Sequence, residues 1–120
     1  MNPLVHLELQ TAAAPAAGAF YAGLLGWRAQ RVHSGAASYT TLGSGGPVGA
    51  GVVGGCAGQP MWLPYVAVEC LQSTTERALA LGATLLLGPR EGPTGRRSVL
   101  ASPAGGQIAL WQPDCARGRG

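Results

Sequence analysis

Val5, Leu7 and Leu9 alternate with His6, Glu8 and Gln10 along Leu4 to Gln10. A period of two marks a strand with one buried face. From Thr11 to Gly26 the period changes. Ala12, Ala16, Ala19, Phe20 and Leu24 suit one face of a helix, with Thr11 placed as its N-cap and Gly26 as its stop. Three short strands are predicted over Trp27 to His33, Ala37 to Leu42 and Val48 to Val53, divided by His-Ser-Gly and Gly-Ser-Gly-Gly-Pro turns. The pattern then begins again. Trp62 to Glu69 alternates Val66 and Val68 with Tyr65, Ala67 and Glu69. Ser73 to Leu81 is a predicted helix stopped by Gly82, with Ser73 and Glu76 as a capping box. Thr84 to Leu87, Arg97 to Ala101 and Gln107 to Trp111 are three more predicted strands, and GPREGPTGR and SPAGG between them are turn chemistry.

The order β-α-β-β-β therefore occurs twice, with a break near Ala57 to Pro60. A four-stranded sheet with one helix buries only one of its faces. Two modules, about residues 4–55 and 61–113, are expected to share a curved eight-stranded mixed sheet around a cup, helices outside. The expected class is α+β, a single domain over 1–113, with 114–120 as a flexible tail.

Composition narrows the functional classes. The 120 residues fit one domain. Only 11% are charged, so apolar area is left at the surface and self-association is expected. All eight basic residues are arginines, which together with the abundance of Ala and Gly reads as the coding bias of a GC-rich, bacterial genome. The net charge of +3 includes Arg117 and Arg119 in the tail, and no basic stripe with interleaved aromatics remains to serve a nucleic acid. Cys56, Cys70 and Cys115 are odd in number, widely spaced and free of C-x-x-C, which argues against a disulfide framework or zinc knuckle. Neither Cys56 nor Cys70 has a basic partner placed to activate it. The opening MNPLVHLELQ is not a signal peptide, and no stretch has the length of a membrane span. A cytoplasmic protein is expected.

HLELQTAAAPAAGAFYAGLLGW resembles the opening of the vicinal-oxygen-chelate superfamily, in which FY-x-x-L-L-G-W is the recurrent part. That superfamily includes glyoxalase I, extradiol dioxygenases and the bleomycin- and fosfomycin-resistance proteins. WLPYVAVE, LALGATLLLGP and GRRSVLASPAGGQIALWQP resemble its glyoxalase-like, hydroxylase-type branch, with Ser102-Pro103-Ala104-Gly105 where that branch has D-P-x-G. The resemblance implies the two-module cup, and homodimers, since single-domain members generally pair. In the metal enzymes it implies four ligands, one from each of four cup strands, around a divalent ion that stabilises an oxyanion. Carried over by position, these fall on His6, on Gly49 or Ala50, on Leu63 and on Ala109. Only His6 has a donor atom. Glu8 lies on the same strand face, while His33, Glu69 and Gln107 do not match the motif. No metal centre and no other cofactor are expected; His6 is then a polar residue on the cup face.

If His6 faces the cup, alternation adds Glu8, Leu63, Tyr65 and Ala67, then Gln107, Ala109 and Trp111, with Tyr39 and Thr41 from the third strand. Aromatic walls, small residues and a few polar groups suit a small or planar organic molecule. The expected function is binding of such a ligand, gripped by Tyr65 and Trp111 and oriented by His6 and Glu8. The alternative is a lyase, isomerase or dioxygenase, metal-dependent or metal-free, with His6 or Glu8 moving a proton.

Overall fold

The alternating segment becomes β1 (Leu4–Gln10), followed by α1 (Ala14–Leu25), β2 (Arg28–Ser34), β3 (Ala37–Gly43) and β4 (Gly49–Val53). The second module repeats the order as β5 (Met61–Ala67), α2 (Leu71–Ala80), β6 (Thr84–Gly92), β7 (Gly95–Ala101) and β8 (Gln107–Pro113). The class is α+β, with strands both parallel and antiparallel. This computed structural model describes residues 2–34, 37–54, 59–92 and 95–113. Cys56, Cys115 and the segment 114–120 lie outside the described residues, as does the side chain of His33. The chain divides into two compact units. One is Val5–Leu63; the other takes the remainder of β5 onward together with the first residues of the chain.

In the first unit β1 pairs parallel with β4, β4 antiparallel with β3, and β3 antiparallel with β2. Leu9, Leu42, Ala50 and Val52 form its core, covered by Ala14, Ala17, Tyr21, Trp27 and Trp62. The sequence assigned a different face of α1 to the sheet. Ala12, Ala16, Ala19, Phe20 and Leu24 are exposed, and Ala14, Ala17, Gly18 and Tyr21 turn inward. The helix is apolar on every side, so periodicity has no contrast with which to choose a face. Packing chooses instead. A Cβ on Gly18 would lie 3.6 Å from Thr40 Cγ2, so the backbone comes close to β3 there. Tyr21 stacks on Trp27 at 6.2 Å and meets the Trp62 edge at 5.5 Å. Thr11 is not the N-cap. Ala13 is, and the Thr11 hydroxyl accepts the Ala13 N–H at 3.1 Å. Gly26 ends the helix as expected, in the left-handed region at φ 71°.

In the second unit β5 pairs parallel with β8, β8 antiparallel with β7, and β7 antiparallel with β6. Val68, Leu100 and Leu110 pack with Leu71 of α2. The capping box fails because α2 starts earlier, at Leu71. Its first N–H is taken by the Gln112 side chain at 2.7 Å, a partner 41 residues away, and Glu76 accepts from Gln72 instead. Thr75 on α2 and Ser98 on β7, both buried, share a hydrogen bond of 2.9 Å. Strand β6 does not stop at Leu87. Register shifts around Leu87 carry it through Gly88 and Pro89 to Gly92, so the expected turn is a bulge within a strand. Gly88 has φ +86°, and a Cβ there would collide with the Arg97 carbonyl. Among the described residues no helix is long and apolar enough to cross a membrane.

Candidate functional site

With Leu9 against α1, alternation sends His6, Glu8 and Gln10 to the opposite face of the first sheet. The register aligns His6 with Gly49 and Glu8 with Gly51, and across β4 it aligns Thr41 with Gly51 and Tyr39 with Val53. The space above the two glycines is taken by the His6 ring. A Cβ at Gly49 would stand 3.1 Å from His6 Nδ1. One at Gly51 would stand 3.6 Å from His6 Cε1 and 3.5 Å from Tyr39 Cε1. Of the two positions considered for a fourth-strand ligand, Gly49 shares the His6 face and Ala50 does not: it is buried in the core under α1.

Glu8 is only 7% exposed, and its Oε1 accepts a hydrogen bond from Gln10 Nε2 at 3.3 Å. Burial lowers the pKa of His6, and the negative charge of Glu8 opposes that shift in part. The imidazole is thus held neutral, able both to donate and to accept a hydrogen bond.

In the second unit Val66 and Leu110 face α2, which leaves Tyr65, Gln107, Ala109 and Trp111 on the other face. Tyr65 aligns with Ala109, and Trp111 with Arg97. Arg97 Nη1 donates to the Tyr65 hydroxyl, and the guanidinium carbon lies 6.0 Å from the ring centre. Arg97 was missed from sequence. Alternation along β7, with Ser98 and Leu100 on the α2 side, would have found it. Leu63 and Ala109, at 1% and 0% exposure, present no surface, whereas His6, Tyr39, Gln107 and Trp111 are half-buried. Glu69 lies exposed beyond the end of β5. The Cys70 thiol is exposed at the start of α2, its pKa lowered by a hydrogen bond with Ser73.

These side chains do not fit the divalent ion that four ligands would hold. Gly49, Leu63 and Ala109 carry no side-chain donor, and among the described residues no three His, Cys, Asp or Glu groups come together. A separate open groove of about 490 Å³ lies on the α1 side of the first unit, lined by Leu9, Ala16, Phe20, Tyr21, Met61 and Trp62 among others. Its walls are mainly apolar, with the Thr11 and Tyr21 hydroxyls among them.

A family model described as a glyoxalase-like domain matches residues 6–111. The anthracycline biosynthesis protein DnrV of Streptomyces peucetius is 30% identical over 117 residues, an alignment covering 82% of this chain and 42% of that protein. The chain therefore spans less than half the length of this curated relative. Among solved structures, methylmalonyl-CoA epimerase from Mycobacterium tuberculosis is similar with a TM-score of 0.71 at 16% identity, covering 98% of this chain and 91% of that one. A hypothetical protein from Bacillus halodurans is similar with a TM-score of 0.75 at 13% identity, covering 94% and 95%. At such identities these structures establish the fold.

Proposed function

This chain belongs to the glyoxalase-like domain family, and from that premise we propose that it binds a small, flat organic molecule without a tightly held divalent ion. The groups that would do so lie on the helix-free sheet face of each module taken by itself: His6, Glu8 and Tyr39 in the first, Tyr65, Gln107 and Trp111 in the second. The observation that carries the reading is the neutral His6 ring laid over Gly49 and Gly51 beside buried Glu8. It is a hydrogen-bonding arrangement, set among positions that lack metal donors. Aromatic side chains give a flat ligand contact area at little entropic cost. The likeness to a protein of anthracycline biosynthesis supports a fused-ring ligand. A cytoplasmic bacterial homodimer is part of the same proposal; the exposed Phe20 and Leu24 on apolar α1 support the pairing.

Calorimetric titration with a panel of planar aromatic compounds, anthracycline-type quinones among them, tests this. At least one compound should bind, and His6→Ala should weaken it about tenfold, the value of one good hydrogen bond. Absence of binding across the panel refutes the reading. One equivalent of a divalent ion held by His6 in the purified protein would instead favour an enzyme, in which His6 and Glu8 move a proton.

A further inference from the structure

The solvent side of α1 keeps the spacing of a buried helix face. Ala14, Ala17, Gly18 and Tyr21 pack toward the sheet of the first unit. Ala16, Ala19, Phe20, Gly23 and Leu24 lie exposed on the other side. Their positions, i, i+3, i+4, i+7 and i+8, are those of an apolar stripe that faces a core. Phe20 is nevertheless 57% exposed and Leu24 62%. A helix apolar on every side is ordinarily covered on every side. With 12 residues, at ~1.5 Å each, α1 is too short to cross a bilayer, so the cover is protein. The open groove runs beside this stripe, lined by Ala16, Ala17 and Phe20 of the helix and by Met61 and Trp62 of β5.

Charge and size both single out a second copy of this chain as that protein. The net charge of +3 makes two copies repel. From Leu9 to Trp27 the chain has no charged residue, so copies that meet through α1 set no like charges together. Along the stripe, the small Ala16 and Ala19 come first, then Phe20, and the larger Leu24 stands at the far end. When two such helices cross antiparallel about a two-fold axis at Phe20, Leu24 of each copy falls opposite the partner's Ala16, large against small. Ala16 borders the groove, so the incoming leucine has a hollow to enter. A surface that is its own complement makes a closed pair. We propose that two copies of this chain pack α1 against α1, antiparallel, with Leu24 of each seated at the partner's Ala16 and groove. This pairing rests on the homodimer of the proposed function, and adds its surface and register.

Sedimentation equilibrium of the purified protein and its variants tests the pairing. The parent chain should sediment as a dimer that dissociates on dilution. Leu24→Glu and Ala16→Arg should each weaken the dimer about a hundredfold, since each buries a charge without a partner. Both positions are exposed in the single chain, so the circular dichroism of either variant should match that of the parent. Mixed in equal amounts, the two variants should associate again, because the register sets the new carboxylate of one against the new guanidinium of the other. A dimer that survives Leu24→Glu overturns the inference and leaves the homodimer standing through another face. Variants that stay monomeric when mixed overturn the antiparallel register and the inference with it. A parent chain that stays monomeric overturns the inference and the homodimer together, while the quinone panel still decides ligand binding.

Discussion

Replacing Gly49 or Gly51 by alanine adds one methyl group beneath the His6 ring. Neither glycine has a positive φ, so a side chain meets no backbone strain at either position. Reduced freedom of the unfolded chain should then stabilise each variant by about 0.4–1 kcal/mol. Crowding opposes this. At Gly49 the new Cβ would stand 3.1 Å from His6 Nδ1. The ring must retreat by a few tenths of an ångström, and being half-buried it can tilt. At Gly51 the nearest atom is the Thr40 carbonyl oxygen at 3.3 Å, part of the β3–β4 ladder, with the Tyr39 ring at 3.5 Å. Neither gives easily, and overpacking costs about 1–3 kcal/mol. Gly49→Ala should therefore be near neutral in stability and should move the His6 resonances. Gly51→Ala should lose about 1 kcal/mol net. Urea denaturation measures the first quantity and the imidazole proton shifts the second. A Gly49→Ala variant stabilised by the full entropic gain, with unchanged His6 shifts, would refute the placement of the ring.

Two further outcomes follow from burial within each unit. Thr75→Val strands the buried Ser98 hydroxyl and should cost about 1–3 kcal/mol in urea denaturation, whereas Thr75→Val with Ser98→Ala should recover most of that loss, because replacing both partners is close to neutral. Burial holds the His6 pKa below its ordinary 6.5, so its NMR titration midpoint should lie below that value, and Glu8→Gln should lower it further by removing the charge that raises it. The sign for stability is that of a depressed histidine: the unfolded chain takes up the proton first, so the contribution is intact above pH 6.5 and is lost as pH falls toward the folded value. An unchanged or raised midpoint in Glu8→Gln would contradict the electrostatic account.

The repeated layout was legible because strand periodicity is strong wherever one sheet face is buried. Val5, Leu7 and Leu9 suffice to place His6 and Glu8 on the opposite face. The helix face of α1 was not legible, since a segment without polar residues gives periodicity nothing to measure. The start of α2 was missed for a different reason: its first N–H is satisfied by Gln112, far along the chain, and a local capping motif cannot reveal such a partner. Reading GPREG as a turn was correct about backbone freedom and wrong about its use. Gly88 supplies the positive φ, but inside β6, where it forms a bulge. Arg97 carries no motif of its own, since a guanidinium is no metal donor; only alternation along β7 sets it on the face of Trp111.

Glycine at position 49 has a structural consequence of its own. A side chain at Gly49 would bring its Cβ to 3.1 Å from His6 Nδ1, so the ring would have to shift to admit one. With glycine at 49 the ring lies close over β4, where it is half-buried. Burial in turn lowers its pKa and keeps it uncharged at neutral pH. Nδ1 is the ring atom nearest to where a Gly49 Cβ would stand. One imidazole with one carboxylate falls short of the four ligands of a closed divalent-ion site. Glycine at position 49 thus sets the surroundings of His6 through packing.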